Sequence, residues 1–339
     1  MADKENPQYI VSTNPHAHSG ASVQRIMLDV IIALIPATLL SFHYFGWHAV
    51  RIVLVCVLGC VGIEAGCRKL MGRDLGITDL SAVLTGLLLA FNLPPSLPCG
   101  MALVGCVFAI AIAKQLFGGI GYNPFNPALI GRVALLISFP VAMTKWHMPL
   151  NAARWSSLNW IDGTTTATPL GAVKTAISMN QALPVTWEPP TMLSYLLGNM
   201  SGCMGEVSAL ALLLGGAYLL YRRCITWHIP LAYIGTVAVF AGILHMLNPE
   251  TNMPVLFHML SGGLLLGAIF MATDMVTSPL TKRGMLIFGV GCGLLTIIIR
   301  RWGGYPEGVS FAILLMNAIT PLINRATRPR VFGQQKVKS

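Results

Sequence analysis

The sequence predicts an all-α fold: a polytopic membrane protein of about ten transmembrane helices in two inverted five-helix repeats. Three observations predict it. The 339 residues are 55% hydrophobic and only 10% charged, where soluble domains carry about 25% charged residues, and the mean hydropathy is +0.69. Apolar runs recur along the chain, most of them near the ~20 residues that a bilayer-crossing helix needs. The two halves also carry similar segments. Leu84-Thr85-Gly86-Leu87-Leu88-Leu89 resembles Leu260-Ser261-Gly262-Gly263-Leu264-Leu265-Leu266, and Phe117-Gly118-Gly119 resembles Trp302-Gly303-Gly304. Five spans in each half is an odd number, so the second copy would lie inverted, as in transport folds with sites near the midplane. Likeness between Gly- and Leu-rich helices by composition alone is the competing explanation.

Residues 1–26 are polar and form a cytoplasmic N-terminal segment. The first repeat, 27–143, holds the runs Met27–Phe45, Val50–Gly66, Leu80–Leu93, Leu97–Phe117 and Ala128–Met143. Pro94-Pro95 ends the third run, Gly118-Gly119 ends the fourth, and Asn123-Pro124-Phe125-Asn126-Pro127 interrupts the approach to the fifth. Such breaks survive in a bilayer only where protein or a cavity covers the freed backbone groups. Residues 144–201 are the one long polar interval. The second repeat, 202–324, holds Cys203–Tyr221, Ile229–Leu247, Val255–Thr273, Gly284–Ile299 and Gly308–Asn324, and a basic tail, 325–339, follows.

Charge orients this frame. Ten spans put both termini on one side, and fourteen Lys and Arg fall on that side against six on the other. Positive residues stay inside, so both termini are expected in the cytoplasm and the 144–201 interval outside. The formal charge of +10 is explained by these helix ends and tails; no nucleic-acid-binding signature accompanies it. The eight cysteines contain no Cys-x-x-Cys pair, which argues against a zinc or iron–sulfur site within this chain alone. Cys56 and Cys60 share a helix face and read as small apolar packing.

The polar interval carries Asp162-Gly163-Thr164-Thr165-Thr166-Ala167-Thr168-Pro169-Leu170. Asp-Gly is a turn signal. Pro169 biases Thr168 to extended backbone, and the expectation is a hydroxyl presented outward at a loop edge. Acidic residues in apolar runs are the other candidates. Asp29 lies four residues after Arg25 and Glu64 four before Arg68, a helical ion-pair spacing. Glu206 at the outer end of the sixth run reads as a helix cap or as a contact to a flavin or ion. Glu307 reads as a first-turn charge. Asp274, flanked by Thr273 and Thr277 with no basic residue within a turn, suits a sodium ion or proton as well as a plain helix end. Asn123 and Asn126 read either as a packed re-entrant turn or as the wall of a cavity. Lone histidines such as His245 and His258 read as packing.

Several longer stretches then resemble one family. They are Lys114-Gln115-Leu116-Phe117-Gly118-Gly119, Asn123-Pro124-Phe125-Asn126-Pro127-Ala128, Leu136-Ile137-Ser138-Phe139-Pro140, Thr273-Asp274-Met275-Val276-Thr277 and Trp302-Gly303-Gly304-Tyr305-Pro306-Glu307-Gly308-Val309. Over nearly its whole length the chain is similar to the RnfD component of the Rnf complex, a relative of the NqrB component of sodium-pumping NADH:quinone reductase. The resemblance implies that the family's flavinylation motif falls on Asp162, Gly163, Thr165, Ala167 and Thr168. FMN would then be joined to Thr168 by a phosphoester, installed from FAD by a separate flavin transferase. It also implies noncovalent riboflavin as a further possible cofactor, and RnfA, RnfB, RnfC, RnfE and RnfG as partners in the inner membrane. The implied function is electron carriage between ferredoxin and NAD coupled to Na+ or H+ translocation. Glu64, Glu206 and Asp274 are then the candidates for the ion path, and no metal ligand set is expected. The chain has no cluster motif and no strand-linked Gly-x-Gly-x-x-Gly, so it is not expected to hold a complete active site. A non-redox transporter or channel on an inverted repeat is the alternative.

Overall fold

A computed structural model describes residues 22–74, 76–147, 149, 165–179, 181, 189–206 and 208–329. The fold is helical. In chain order it contains α1 (Val23–Phe45), α2 (Trp47–Leu70), α3 (Ser81–Phe91), α4 (Cys99–Val107), α5 (Pro127–Ser138), α6 (Pro140–Met143), α7 (Pro169–Ser178), α8 (Pro189–Leu197), α9 (Ala209–Tyr221), α10 (His228–Leu247), α11 (Val255–Leu260), α12 (Leu264–Leu266), α13 (Lys282–Trp302) and α14 (Val309–Ala326). Two π-helical stretches, Phe108–Gln115 after α4 and Gly267–Met271 after α12, continue their helices. A pair of two-residue strands, β1 (Trp146–His147) and β2 (Thr165–Thr166), runs antiparallel.

Every apolar run holds helix, but among the described residues only α1, α2, α10, α13 and α14 are long and apolar enough to cross a membrane alone. The others are shortened where the sequence breaks them. Pro94-Pro95 follows α3, and Gly118 and Gly119 take φ of 121° and 101° after the first π stretch. The eighth run is cut at Ser261-Gly262-Gly263, where Gly262 has φ 70°. These breaks are covered. The Asn126 side chain caps α5 by accepting from Ala128 N and Leu129 N (3.1 and 3.4 Å), and donates to Met271 O at the end of the second π stretch (3.2 Å). That carbonyl lies where π winding ends, so the bond satisfies a group lipid could not.

Glycines allow the tightest approaches. α2 packs on α3, and a Cβ at Gly86 would lie 2.7 Å from the carbonyl oxygen of Cys56. α10 packs on α13, where Cβ atoms at Gly289 and Gly293 would each lie 2.9 Å from a carbonyl oxygen, of Ile229 and Tyr233. The obstacle is backbone in all three cases, so it cannot rotate away. Gly86→Ala is expected to push α2 from α3 at an overpacking cost of roughly 1–3 kcal/mol, seen as a lower melting temperature in detergent. Gly62→Ala, at an exposed site with nothing within 4 Å, should leave it unchanged; equal effects would refute the close-approach account.

Cys56, Cys60 and Cys106 are fully buried among these helices, and all eight cysteines are free. This fits the packing expectation for Cys56 and Cys60.

Candidate cofactor and ion sites

Thr168 is N-cap of α7. Its backbone is extended, φ −63° and ψ 153°, as Pro169 dictates. Its side chain does not point outward as expected. The residue is 4% exposed, and Oγ1 accepts a hydrogen bond from Gly171 N at 3.1 Å. The reason is local: Pro169 occupies N1, and the helix's free N–H groups draw the nearest hydroxyl inward. α7 itself is docked. Leu170 and Val173 are buried with Tyr195, Met200, Met253 and Phe257. Ser201 Oγ donates to Ala167 O at 2.9 Å, and Lys174 Nζ donates to Tyr305 O at 2.9 Å. Burial pushes the Lys174 ammonium below the usual lysine range. Thr165 pairs through its backbone with His147. Asp162 and Gly163 lie outside the described residues, and Ala167 is exposed.

Thr168 Oγ1 therefore stands at the positive end of a ten-residue helix. A phosphate carried there would sit at the favourable end of the helix dipole, beside the Gly171 N–H from which Oγ1 accepts, so the residues fit a phosphoester-linked group.

A second constellation lies toward the other end of the fold. Glu64 is fully buried. It pairs with Arg68 at 3.2 Å, as its spacing suggests, but also with Lys114 Nζ, 2.9 Å from both carboxylate oxygens. Gln115 Nε2 adds a bond at 2.7 Å, and Lys114 also donates to Ser81 Oγ at 2.6 Å. The π stretch sets Lys114 and Gln115 side by side toward α2. Lys114 also lines a cavity of about 110 Å³ with Ser81, Thr85, Asn123, Asn126 and Asp274. So Asp274, without a cation in its own turn, faces a space that Lys114 shares. Its carboxylate accepts from Thr277 Oγ1 (3.1 Å) and Val276 N (3.4 Å), which closes the turn after the second π stretch.

The third constellation joins the two halves. Arg132 of α5, 6% exposed, donates to Glu307, to Ser310 Oγ (2.7 Å) and to Asn92 Oδ1 (3.0 Å), and its Nη2 lies 3.8 Å from Cys203 Sγ. Glu307 is thus no simple first-turn charge but the partner of a buried guanidinium. Glu206 ends the short 3-10 turn Met204–Glu206 and is buried. It does not cap α9, whose N-cap is Ser208. The ligand atoms of Cys203, Glu206 and Glu307 lie within 4.8 Å of one another. Cys203 and Arg132 are functional candidates that the sequence patterns do not single out; an arginine inside an apolar run is the available signal, since it must find a partner. Asp29 is corrected as well. It pairs with Arg222 (3.2 Å) and Tyr218 (3.0 Å) of α9, not with Arg25. His245 Nδ1 lies 2.7 Å from Asn252 O, a packing contact.

A family profile described as the NQR2, RnfD, RnfE family matches residues 10–333. The D component of the Na(+)-translocating ferredoxin:NAD(+) oxidoreductase complex of Acetobacterium woodii is 46% identical over 331 residues, covering 97% of this chain and 96% of that protein. The D component of the ion-translocating oxidoreductase complex of Stutzerimonas stutzeri is 45% identical, covering 93% of each. The D component of the proton-translocating ferredoxin:NAD(+) oxidoreductase complex of Clostridium ljungdahlii is 44% identical, covering 97% of each. On this full-length agreement, the chain belongs to the NQR2, RnfD, RnfE family.

Proposed function

We infer that this chain is the RnfD-type membrane component of an ion-translocating oxidoreductase complex, coupling electron transfer between ferredoxin and NAD to movement of Na+ or H+. The observation that carries this is 44–46% identity, along nearly the full length, to proteins bearing those names. RnfA, RnfB, RnfC, RnfE and RnfG are its partners and hold the centres that it lacks.

Within that complex the chain carries FMN on Thr168, bound as a phosphoester and installed by a flavin transferase. The position of Thr168 Oγ1 at the start of α7 supports this. FMN supplies the electron-carrying chemistry, and the protein supplies placement: α7 is pinned by Ser201 and Lys174. Asp162, Gly163, Thr165 and Ala167 complete the recognition segment. Noncovalent riboflavin is assigned to the Asn123–Asn126 region. Both termini are cytoplasmic and the Thr168 segment faces outward, on the strength of the charge asymmetry. The inverted five-helix repeat is supported by the packing order: α2 meets α3 and α4 as α10 meets α11 and α13, while α1 meets α9 and α5 meets α14 across the halves. Interrupted helices in both halves suit such a repeat.

Intact mass of the purified protein tests the flavin. One FMN-phosphoryl increment, with fluorescence of the denatured band in a gel, is expected. A bare chain without fluorescence would remove the flavin assignment and leave the family membership in place.

A further inference from the structure

The docked face of α7 closes over a small cavity that gathers positive charge. Leu170, Val173 and Lys174 of α7, His258 of α11, and Arg300 and Arg301 at the end of α13 line a space of about 30 Å³. Its lining includes three basic side chains and a histidine, and no carboxylate. The C-terminal dipole of α13 favours cations at this place, but it amounts to about half an elementary charge. Glu206 lies beyond the Gly262–Gly263 break, outside the cavity, and offsets at most one of the three cations.

The contacts of these side chains leave the cavity without a counter-charge. Arg300, 6% exposed, donates from its two Nη atoms to His258 O (2.7 Å) and Ser261 O (3.2 Å). Its buried Nε meets no acceptor among the described residues, and His258 Nδ1 is buried without a hydrogen-bond partner as well. Lys174 Nζ meets two backbone carbonyls, of Tyr305 (2.9 Å) and Ile299 (3.4 Å). Arg301 is half-buried, and none of the ion pairs among the described residues includes it, Lys174 or Arg300. A guanidinium N–H can only donate, and burying it unmet is costly. The volume has room for one small ion or a single water. A water would satisfy the Arg300 N–H but leave the charge as it is. An anion answers both.

We propose that this cavity binds a small inorganic anion of chloride size, held by Lys174, Arg300, Arg301 and His258, and that the anion clamps α7 onto the end of α13. α7 is the helix that Thr168 caps, so the clamp fixes where that threonine stands. The site is argued from charge and space and does not rest on the flavin.

The test uses the full-length chain in its intact complex, exchanged into gluconate and titrated with chloride at constant ionic strength. Hydrogen exchange of residues 169–178 is read by mass spectrometry, and it is expected to slow saturably as chloride is added. Bromide should act as chloride does, and sulfate far less. Arg301→Gln should weaken the apparent chloride affinity by roughly tenfold, and Arg301→Lys should restore part of it. In gluconate, Arg301→Gln should protect α7 at least as well as the wild type does, because it relieves repulsion among the cations; a purely structural role for Arg301 predicts a loss there. Arg300 is left unchanged, since its Nη atoms also hold the backbone at Ser261. No response of the segment to chloride means that the cavity holds water and overturns the proposal. Equal protection by sulfate, or an unchanged chloride response in Arg301→Gln, marks a general salt effect and overturns it too. Flavin fluorescence is recorded on the same samples. Its absence from the wild type would remove the flavin assignment without altering the chloride result.

Discussion

Thr168→Val is expected to abolish covalent flavin and to reduce electron throughput of the assembled complex by roughly 10²–10⁴-fold, the usual advantage of a tethered over a free partner. The variant changes two things at once. It removes the nucleophilic oxygen, and it removes the hydrogen bond from Gly171 N that caps α7. Loss of the cap alone costs about 0.5–2 kcal/mol, enough to loosen α7 but not to erase a cofactor. Thr168→Asn separates the two, because asparagine caps helices well but offers no hydroxyl. It should keep the α7 fold, measured by protection of the 169–178 segment from proteolysis or hydrogen exchange, and still lack fluorescence. Thr168→Ser should keep both. Fluorescence retained in Thr168→Asn would move the attachment to another threonine.

Lys114→Met is expected to have the largest effect on stability. It leaves Glu64, fully buried, with Arg68 and Gln115 as its remaining partners. Breaking a buried pair from one side costs roughly 3–5 kcal/mol, whereas replacing both members with neutral groups is often close to harmless. The single variant should therefore be recovered poorly and melt early in detergent. The double variant Lys114→Met/Glu64→Gln should regain most of the loss. Equal melting of single and double variants would mean that the pair is not what holds α2 to the π stretch.

Much of this is legible in the sequence. Helix is legible because apolar runs in lipid have little else to form, and Pro and Gly mark their ends. Thr168 is legible as an extended residue before a proline, and Thr before Pro is also a helix-start signature; which helix it opens, and so which way the hydroxyl turns, is set by the docking of α7. Local spacing finds the Glu64–Arg68 pair. It cannot find Lys114, fifty residues on in a separate helical stretch, because spacing rules pair residues only within one helix. Asp29 shows the limit most clearly. Arg25 sits at the right interval, but Arg222 and Tyr218 approach from α9 and take the carboxylate instead.

The buried pairing of Arg132 with Glu307 bears on how the chain enters the bilayer. A single arginine at the centre of a span raises the insertion cost by roughly 2.5–3.5 kcal/mol. Its acidic partner lies 175 residues later in the chain, so α5, too short to cross a bilayer alone, is made long before that partner. Asn92, 3.0 Å away and already made, is the acceptor at hand during that wait. Loss of Asn92 is therefore expected to lower the membrane-inserted yield of newly made chain more than the melting temperature of the assembled complex.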